Sequence, residues 1–240
     1  MKKIYMFLAV AVSSYALIGL SACNVACTNG SGKMVTETRK VTGFDKIDIS
    51  GGFDVVIKQD TAESLSITAD DNLMEAIKSE VSDGNLKVKT KGSICNSGKL
   101  VLNISLRDLS KIETSGAVNV TSNGKITTKK LVIGTSGAAK ITLDLSADNL
   151  FTNGSGSTEL NLTGQASSHL VNFSGSGTLN ALDFVVAKYT IESSGATHCK
   201  INVLNELNVS SSGVSDVEYR GNPAKIHEDK SGALTLKKID

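Results

Sequence analysis

Glu159, His198 and Asp216 are where this chain comes nearest to assembling chemistry, because all three stand three residues after a recurrent glycine. Cleavage of a glycosidic bond needs two carboxyl groups about 5–10 Å apart. Carboxylates at one offset on nearby turns of a coiled sheet meet that distance. No second carboxylate column is assigned beside this one, so the residues read as a solvated outward row, and no catalytic residue is assigned. The whole row, Asn119, Lys140, Glu159, Asn180, His198 and Asp216, is instead the candidate contact face.

Other reactive residue types are scattered. His169, His198 and His227 fall at different offsets and there is no CxxC, so neither a metal nor a cofactor is expected. The calcium-binding GGxGxD repeat is missing, since Gly51-Gly52 is followed by Phe53-Asp54 and does not recur. Cys199 shares its offset with apolar residues and reads as a small buried hydrophobe. Tryptophan is absent, and Phe173, Tyr189 and Tyr219 have inward parity. Only Phe151 faces out within the regular repeats, so a glycan would have to be recognised by polar ladders rather than by aromatic stacking.

The elements that position these residues come from a repeat. The dipeptide Ser-Gly recurs with its glycine at 116, 137, 156, 177, 195, 213 and 232, at intervals of 21, 19, 21, 18, 18 and 19 residues. Four residues after it stand Val120, Ile141, Leu160, Ala181, Cys199, Val217 and Leu236, all apolar. Offsets −4 and −6 are mostly apolar too, while offset +3 is polar throughout. Apolar residues at even offsets with polar neighbours indicate strands rather than helices. The expected fold is all-β, a right-handed parallel β-helix or β-solenoid with coils of about 18–21 residues. Seven coils stacked at about 4.8 Å give a rod on the order of 30 Å long.

An eighth copy, FDKIDISGGFDVVIKQ, lies at residues 44–59 with Gly51 as its glycine. The 65-residue interval from Gly51 to Gly116 reads as about three divergent coils. They include one short helix over Asp71 to Glu80, capped by Asp70 or Asp71, with Leu73, Met74 and Ile77 on one face.

The N-terminus addresses the chain for export. Lys2 and Lys3 precede an apolar segment from Ile4 to Leu20, shorter than a membrane span and interrupted by Ser13-Ser14. Leu20-Ser21-Ala22-Cys23 then resembles the bacterial lipobox, which implies diacylglycerol attachment at Cys23, and Asn24 at the next position implies the outer membrane. Residues 1–22 are thus a lipoprotein signal peptide, 23–38 a lipidated, flexible tether, and 39–240 one domain. Within it, 39–110 is less regular and 111–240 carries the Ser-Gly repeats. Removing Lys2 and Lys3 changes 25 basic residues to 23 against 24 acidic ones, a net charge of −1. The charges form no basic block, which argues against a nucleic-acid partner. Three cysteines remain beside the anchor, so at least one is unpaired within the chain; a Cys27–Cys95 bridge is left open.

The motif Phe44-Asp45-Lys46-Ile47 with Ser50-Gly51 and Val55-Val56-Ile57, followed by the Ser115-Gly116 unit, resembles the putative auto-transporter adhesin, head GIN domain family, over about Val41 to Lys225. That resemblance implies a β-helical envelope protein and brings no catalytic residues with it. The functional expectation is a non-catalytic envelope lipoprotein that binds an unknown protein or glycan. The alternatives are a structural protein self-associating through its terminal coil, Ile226 to Asp240, and a polysaccharide-active enzyme.

Overall fold

Why a Ser-Gly dipeptide should recur every coil is answered by the computed structural model, which describes residues 27–240. The expected signal peptide, residues 1–22, the expected acylation site Cys23 and Asn24 lie outside the described residues. In chain order the strands are β1 (Cys27–Thr28), β2 (Met34–Arg39), β3 (Lys46–Gln59), β4 (Ser64–Asp70), β5 (Ile77–Ser82), β6 (Asn85–Thr90), β7 (Ser93–Ile94) and β8 (Val101–Leu106). There follow β9 (Lys111–Gly154), β10 (Ser157–Phe173), β11 (Ser176–Ser193), β12 (Ala196–Ser211), β13 (Val214–Arg220), β14 (Lys225–Lys230) and β15 (Ala233–Lys238). From β9 onward each strand segment pairs in parallel with the coil before it. The result is a β-solenoid of about five turns. That is fewer than the seven expected, and the last coil, β14 and β15, is only two short strands laid on β12 and β13.

The glycines form a continuous column down one corner. A Cβ on Gly137 would stand 2.5 Å from the carbonyl oxygen of Gly116, and on Gly116, Gly156, Gly175, Gly195, Gly213 and Gly232 it would press still closer on the glycine one coil earlier. Gly116, Gly137 and Gly156 also have φ of 93°, 92° and 90°, whereas the later rungs do not have positive φ. The requirement common to every rung is therefore the missing side chain, which lets backbones pass in contact.

This column corrects the sequence alignment in one coil. The rung there is Gly175, not Gly177, so Leu160 pairs with Leu179 and Val171 with Thr152 and Ile191. The segment Phe173-Ser174-Gly175-Ser176-Gly177 offers two Ser-Gly dipeptides, and the second has a different purpose. A Cβ on Gly177 or on Gly154 would collide with the Phe173 ring, so both glycines make room for that ring at the corner. A two-residue slip preserves inside and outside, which is why the expected alternation survived it. Val120, Ile141, Leu160, Ala181, Cys199 and Val217 are all buried.

The N-terminal part departs further from expectation. Gly51 stacks directly on Gly116, in the parallel pairing of β3 with β9, so the 65-residue interval between them does not hold three intervening coils. They fold over the end of the rod. Strands β6 and β8 lie parallel on the two halves of β3, then β5 runs antiparallel to β6, β4 to β8 and β2 to β4. The short helix over Asp71 to Glu80 is not formed. Only Asp71–Leu73 makes a 3₁₀ turn, with no side-chain cap from Asp70, and Ile77–Ser82 is strand. The physical reason is the Asp83-Gly84 turn: φ is 54° and 72°, the twist that closes a two-residue hairpin, and it pairs IKSEVS with NLKVKT. Leu73, Met74 and Ile77 are nonetheless buried, plugging the core from that end.

Residues 27–39 are not a free tether. Cys27 is disulfide-bonded to Cys95, β1 pairs with β7, and β2 is hydrogen-bonded along β4. Ser31 Oγ donates to Asp71 at 2.6 Å and Asn72 Nδ2 to the Asn29 carbonyl at 2.8 Å. Among the described residues no helix is long and apolar enough to cross a membrane.

Candidate functional site

Two polar faces flank the glycine column. The first is the row expected from sequence, three residues after each rung. It brings Asn119, Lys140, Glu159, His198 and Asp216 into line, with Thr178 in place of Asn180. Asn180 is displaced by the Gly175 register into the next outward row, where its Nδ2 donates to Asn161 Oδ1 at 2.9 Å. The row satisfies itself. Asn119 Nδ2 donates to Asp54 at 2.8 Å, Lys140 Nζ lies 2.9 Å from Glu159, and His198 Nδ1 lies 3.2 Å from Asp216. The Asn161 amide, then Lys140, hold the Glu159 carboxyl below its ordinary pKa, which keeps it an anion. Such a carboxylate is poorly placed to serve as a general acid. Phe151, expected to face outward, is half-covered with Lys130 Nζ 5.1 Å above its ring. The carboxylates of this row already have side-chain partners.

The second face lies before the rung and is concave. A groove of about 750 Å³ runs from Asp48 to Ser231. It crosses eight rungs, roughly 34 Å at the strand spacing. Three rows build it. A serine precedes every ladder glycine, from Ser50 to Ser231. Three residues before each glycine stand Asp48, Glu113, Gly134, Asn153, Asn172, Glu192, Ser210 and Asp229. Between those rows, two residues before the glycine, lie inward-pointing side chains that form the floor. Strand alternation places them so, because the rows on either side of the floor point outward.

The floor is mostly self-contained. Thr135 and Thr158 share a hydroxyl hydrogen bond of 2.6 Å, Ser211 and Ser215 one of 2.8 Å, and Ser193 bonds Thr197. Phe173 fills its own place with a ring that is 2% exposed. Thr114 is the exception. It is 4% exposed and its Oγ1 has no hydrogen-bond partner. The positions that supply partners elsewhere, two residues after the rung in its own coil and the next, are Val118 and Ala139. Beside it, Glu113 is paired with Lys111 at 2.6 Å, and Ser115 Oγ donates to Ser50 Oγ at 2.8 Å. Four carboxylates line the groove and no lysine or arginine does.

The sequence shows the serines as part of the Ser-Gly repeat, while the row of mixed composition three residues before the glycine was passed over. Its signal was present in the acidic and amide residues at offset −3, but Gly134 and Ser210 interrupt it and the 65-residue insertion hides Asp48 from the series. A third polar cluster is wholly internal. His169 is buried with Nε2 3.0 Å from Thr152 Oγ1 and its ring 5.2 Å from that of Tyr189. Burial pushes its pKa down to about 3. Among the described residues no three His, Cys, Asp or Glu converge as metal ligands.

Comparison with known proteins gives a consistent result. A family model described as putative auto-transporter adhesin, head GIN domain, matches residues 43–223. The solved structure of a putative adhesin from Bacteroides fragilis superposes with a TM-score of 0.84 at 24% identity, covering 88% of this chain and all of that one. A putative adhesin from Parabacteroides merdae gives 0.70 at 21%, covering 89% of this chain and 99% of its own. A putative lipid binding protein from Parabacteroides distasonis gives 0.73 at 20%, covering 90% and 100%. At these identities the likeness shows the fold alone. No curated protein matches the sequence.

Proposed function

Taking as premise that the chain belongs to the putative auto-transporter adhesin, head GIN domain family, we propose that it is a non-catalytic, lipid-anchored binding protein of the cell envelope. Its contact surface is the groove before the glycine column. The observation that carries this reading is the groove itself: a concavity along the rod, lined mainly by serine, threonine, carboxylate and amide side chains and built from the one corner that every coil repeats. A rigid solenoid presents such a surface without an ordering cost on binding. The Cys27–Cys95 disulfide supports an oxidising compartment. Attachment at Cys23, by the lipobox, supports placement on a membrane, and Asn24 favours the outer one. A polysaccharide-active site through Glu159 and Asp216 is disfavoured because Glu159 is tied to Lys140 and Asn161, and Asp216 to His198.

The test is protease access on intact cells, with lysed cells as control, alongside attachment of cells that lack the protein. Cleavage from outside together with reduced attachment is the expected result. Protection until the outer membrane is broken would overturn the adhesive reading. Self-association is the second reading, favoured by the uncovered β14 and β15, where Ile226 is 44% exposed. It requires dimers or longer assemblies that dissociate on replacing Ile226 by lysine.

A further inference from the structure

Resting on the lipid attachment in that reading, we infer that the capped end of the rod is a membrane-facing surface. It seats on the phosphate headgroups of the leaflet that holds the anchor, and the groove runs outward from the bilayer. Only three residues separate Cys23 from Cys27, and from Cys27 onward the chain is fixed to the body. Cys27 is bonded to Cys95, Gly30 N–H donates to the Asn96 carbonyl at 2.6 Å, and Asp71 N–H donates to the Lys33 carbonyl at 2.9 Å. The four Cα steps from Cys23 to Cys27 span about 14 Å at full extension. The acylated cysteine therefore cannot stand farther than that from the disulfide.

The exit of the anchor lies at the extreme of the molecule. Strand β2 ends the sheet on this side. The disulfide-bearing pair β1 and β7 adjoins its first residue: a Cβ on Gly98 would meet Met34 Sδ at 2.7 Å, and Gly98 N–H donates to Asp70, the partner of Met34, at 2.9 Å. From β2 there are three strand spacings through β4 and β8 to β3, then seven along the glycine column from Gly51 to Gly232. The far coil thus stands up to about 48 Å from the exit.

Charge distinguishes the surfaces that could meet lipid. On the exit segments, residues 27–34 and 91–99, every charged residue is an exposed lysine: Lys33, Lys91 and Lys99. The adjoining turn adds Glu75 and Asp71, the latter already engaged by Lys33 at 3.4 Å and Ser31 at 2.6 Å. Met34, 43% exposed, contributes an apolar side chain at the same edge. Ammonium groups held this close to phosphate headgroups are attracted to them. The groove has the opposite character. Asp48, Glu113, Glu192 and Asp229 line it with no basic side chain among the lining residues, so a rod lying on that side would press carboxylates against phosphate. Tether and charge together favour standing on the cap, which leaves the groove open along its length.

The experiment reconstitutes the mature lipidated protein, its lipid on Cys23 checked by mass spectrometry, into phosphatidylglycerol and phosphatidylcholine vesicles with a nitroxide on the headgroup. A fluorescent amino acid replaces Ser97 at the cap or Lys237 in the last coil, both exposed. The expected result is quenching at Ser97 and none at Lys237. A spacer of about twelve glycine and serine residues inserted after Asn24 adds roughly 20 Å of reach. Quenching at Ser97 should fall with the spacer, and should be lost when Lys33→Gln, Lys91→Gln and Lys99→Gln are combined with it. Equal quenching at the two positions in a lipidated protein would overturn the orientation and leave the groove as the contact surface. Undiminished quenching at Ser97 in the spacer protein with all three substitutions would overturn the roles given to the tether and the lysines. Absence of lipid on Cys23 would overturn the inference together with the anchored function on which it rests.

Discussion

His169 carries the clearest pH signature of any single residue. It is buried, neutral in the folded rod, and its pKa of about 3 lies well below the value near 6.5 of an exposed histidine. Below pH 6.5 the unfolded chain therefore binds a proton that the folded one refuses, so stability falls as pH drops, by about 1.4 kcal/mol per unit, until the folded pKa is reached. Unfolding titrations between pH 7.5 and 4.5 should show that slope, and His169→Gln should remove it. The glycines give a second comparison at this scale. Gly156→Ala has to fit a Cβ against Gly137 at a φ of 90° and should cost on the order of 2–4 kcal/mol. Gly134→Ala, where a Cβ meets Glu113 only at ordinary contact distance and φ is not positive, should be neutral or gain about 0.5 kcal/mol. Thermal melts of the pair would show whether the ladder, rather than glycine as such, is the requirement.

Among the elements, the cap of antiparallel strands and its disulfide decide how the rod begins. Cys27 and Cys95 close a loop of 68 residues around β2 to β7, and removing that bridge by Cys27→Ser with Cys95→Ser should cost on the order of 2–4 kcal/mol. A reductant should lower the midpoint of the native protein and leave the double variant unmoved. The elements also show what can be read without coordinates. Alternation at even offsets placed the buried face correctly through the coils before the last, where Ile226 is exposed, because parity is insensitive to a two-residue slip. It could not choose between Gly175 and Gly177, since that depends on the Phe173 ring lying across the corner from Gly154. The segment DNLMEAIK has helical spacing, but the Asp83-Gly84 turn beyond it recruits Ile77–Ser82 into a hairpin. A local period lost to turn chemistry. The contact row at +3 was legible as polar and outward; the groove was not, because Thr114 becomes unusual only when its neighbours one coil away are known.

For the whole molecule, stability is a sum of interfaces between successive coils. Leu160 sits at the centre of that sum, fully buried between Ile141 and Leu179. Leu160→Asp buries a charge with no partner and should unfold the rod in the coils around it, a loss of several kcal/mol. Asn119→Asp replaces an exposed amide that donates to Asp54 and sets two carboxylates side by side, which should cost under about 1 kcal/mol at ordinary salt. Circular dichroism of both variants at one temperature separates the two outcomes.

The unlike ends of the rod fix how it would respond to mechanical force. The N-terminal end is closed by antiparallel strands and locked between Cys27 and Cys95, while β14 and β15 at the other end have a neighbour on one side only. Tension between the termini would peel the last coil first, then the next, each coil of about 19 residues paying out roughly 60 Å of chain. The bridged segment could not lengthen at all. Such a molecule yields in steps from its far end, so a tug is absorbed by extension well before the stapled end gives way.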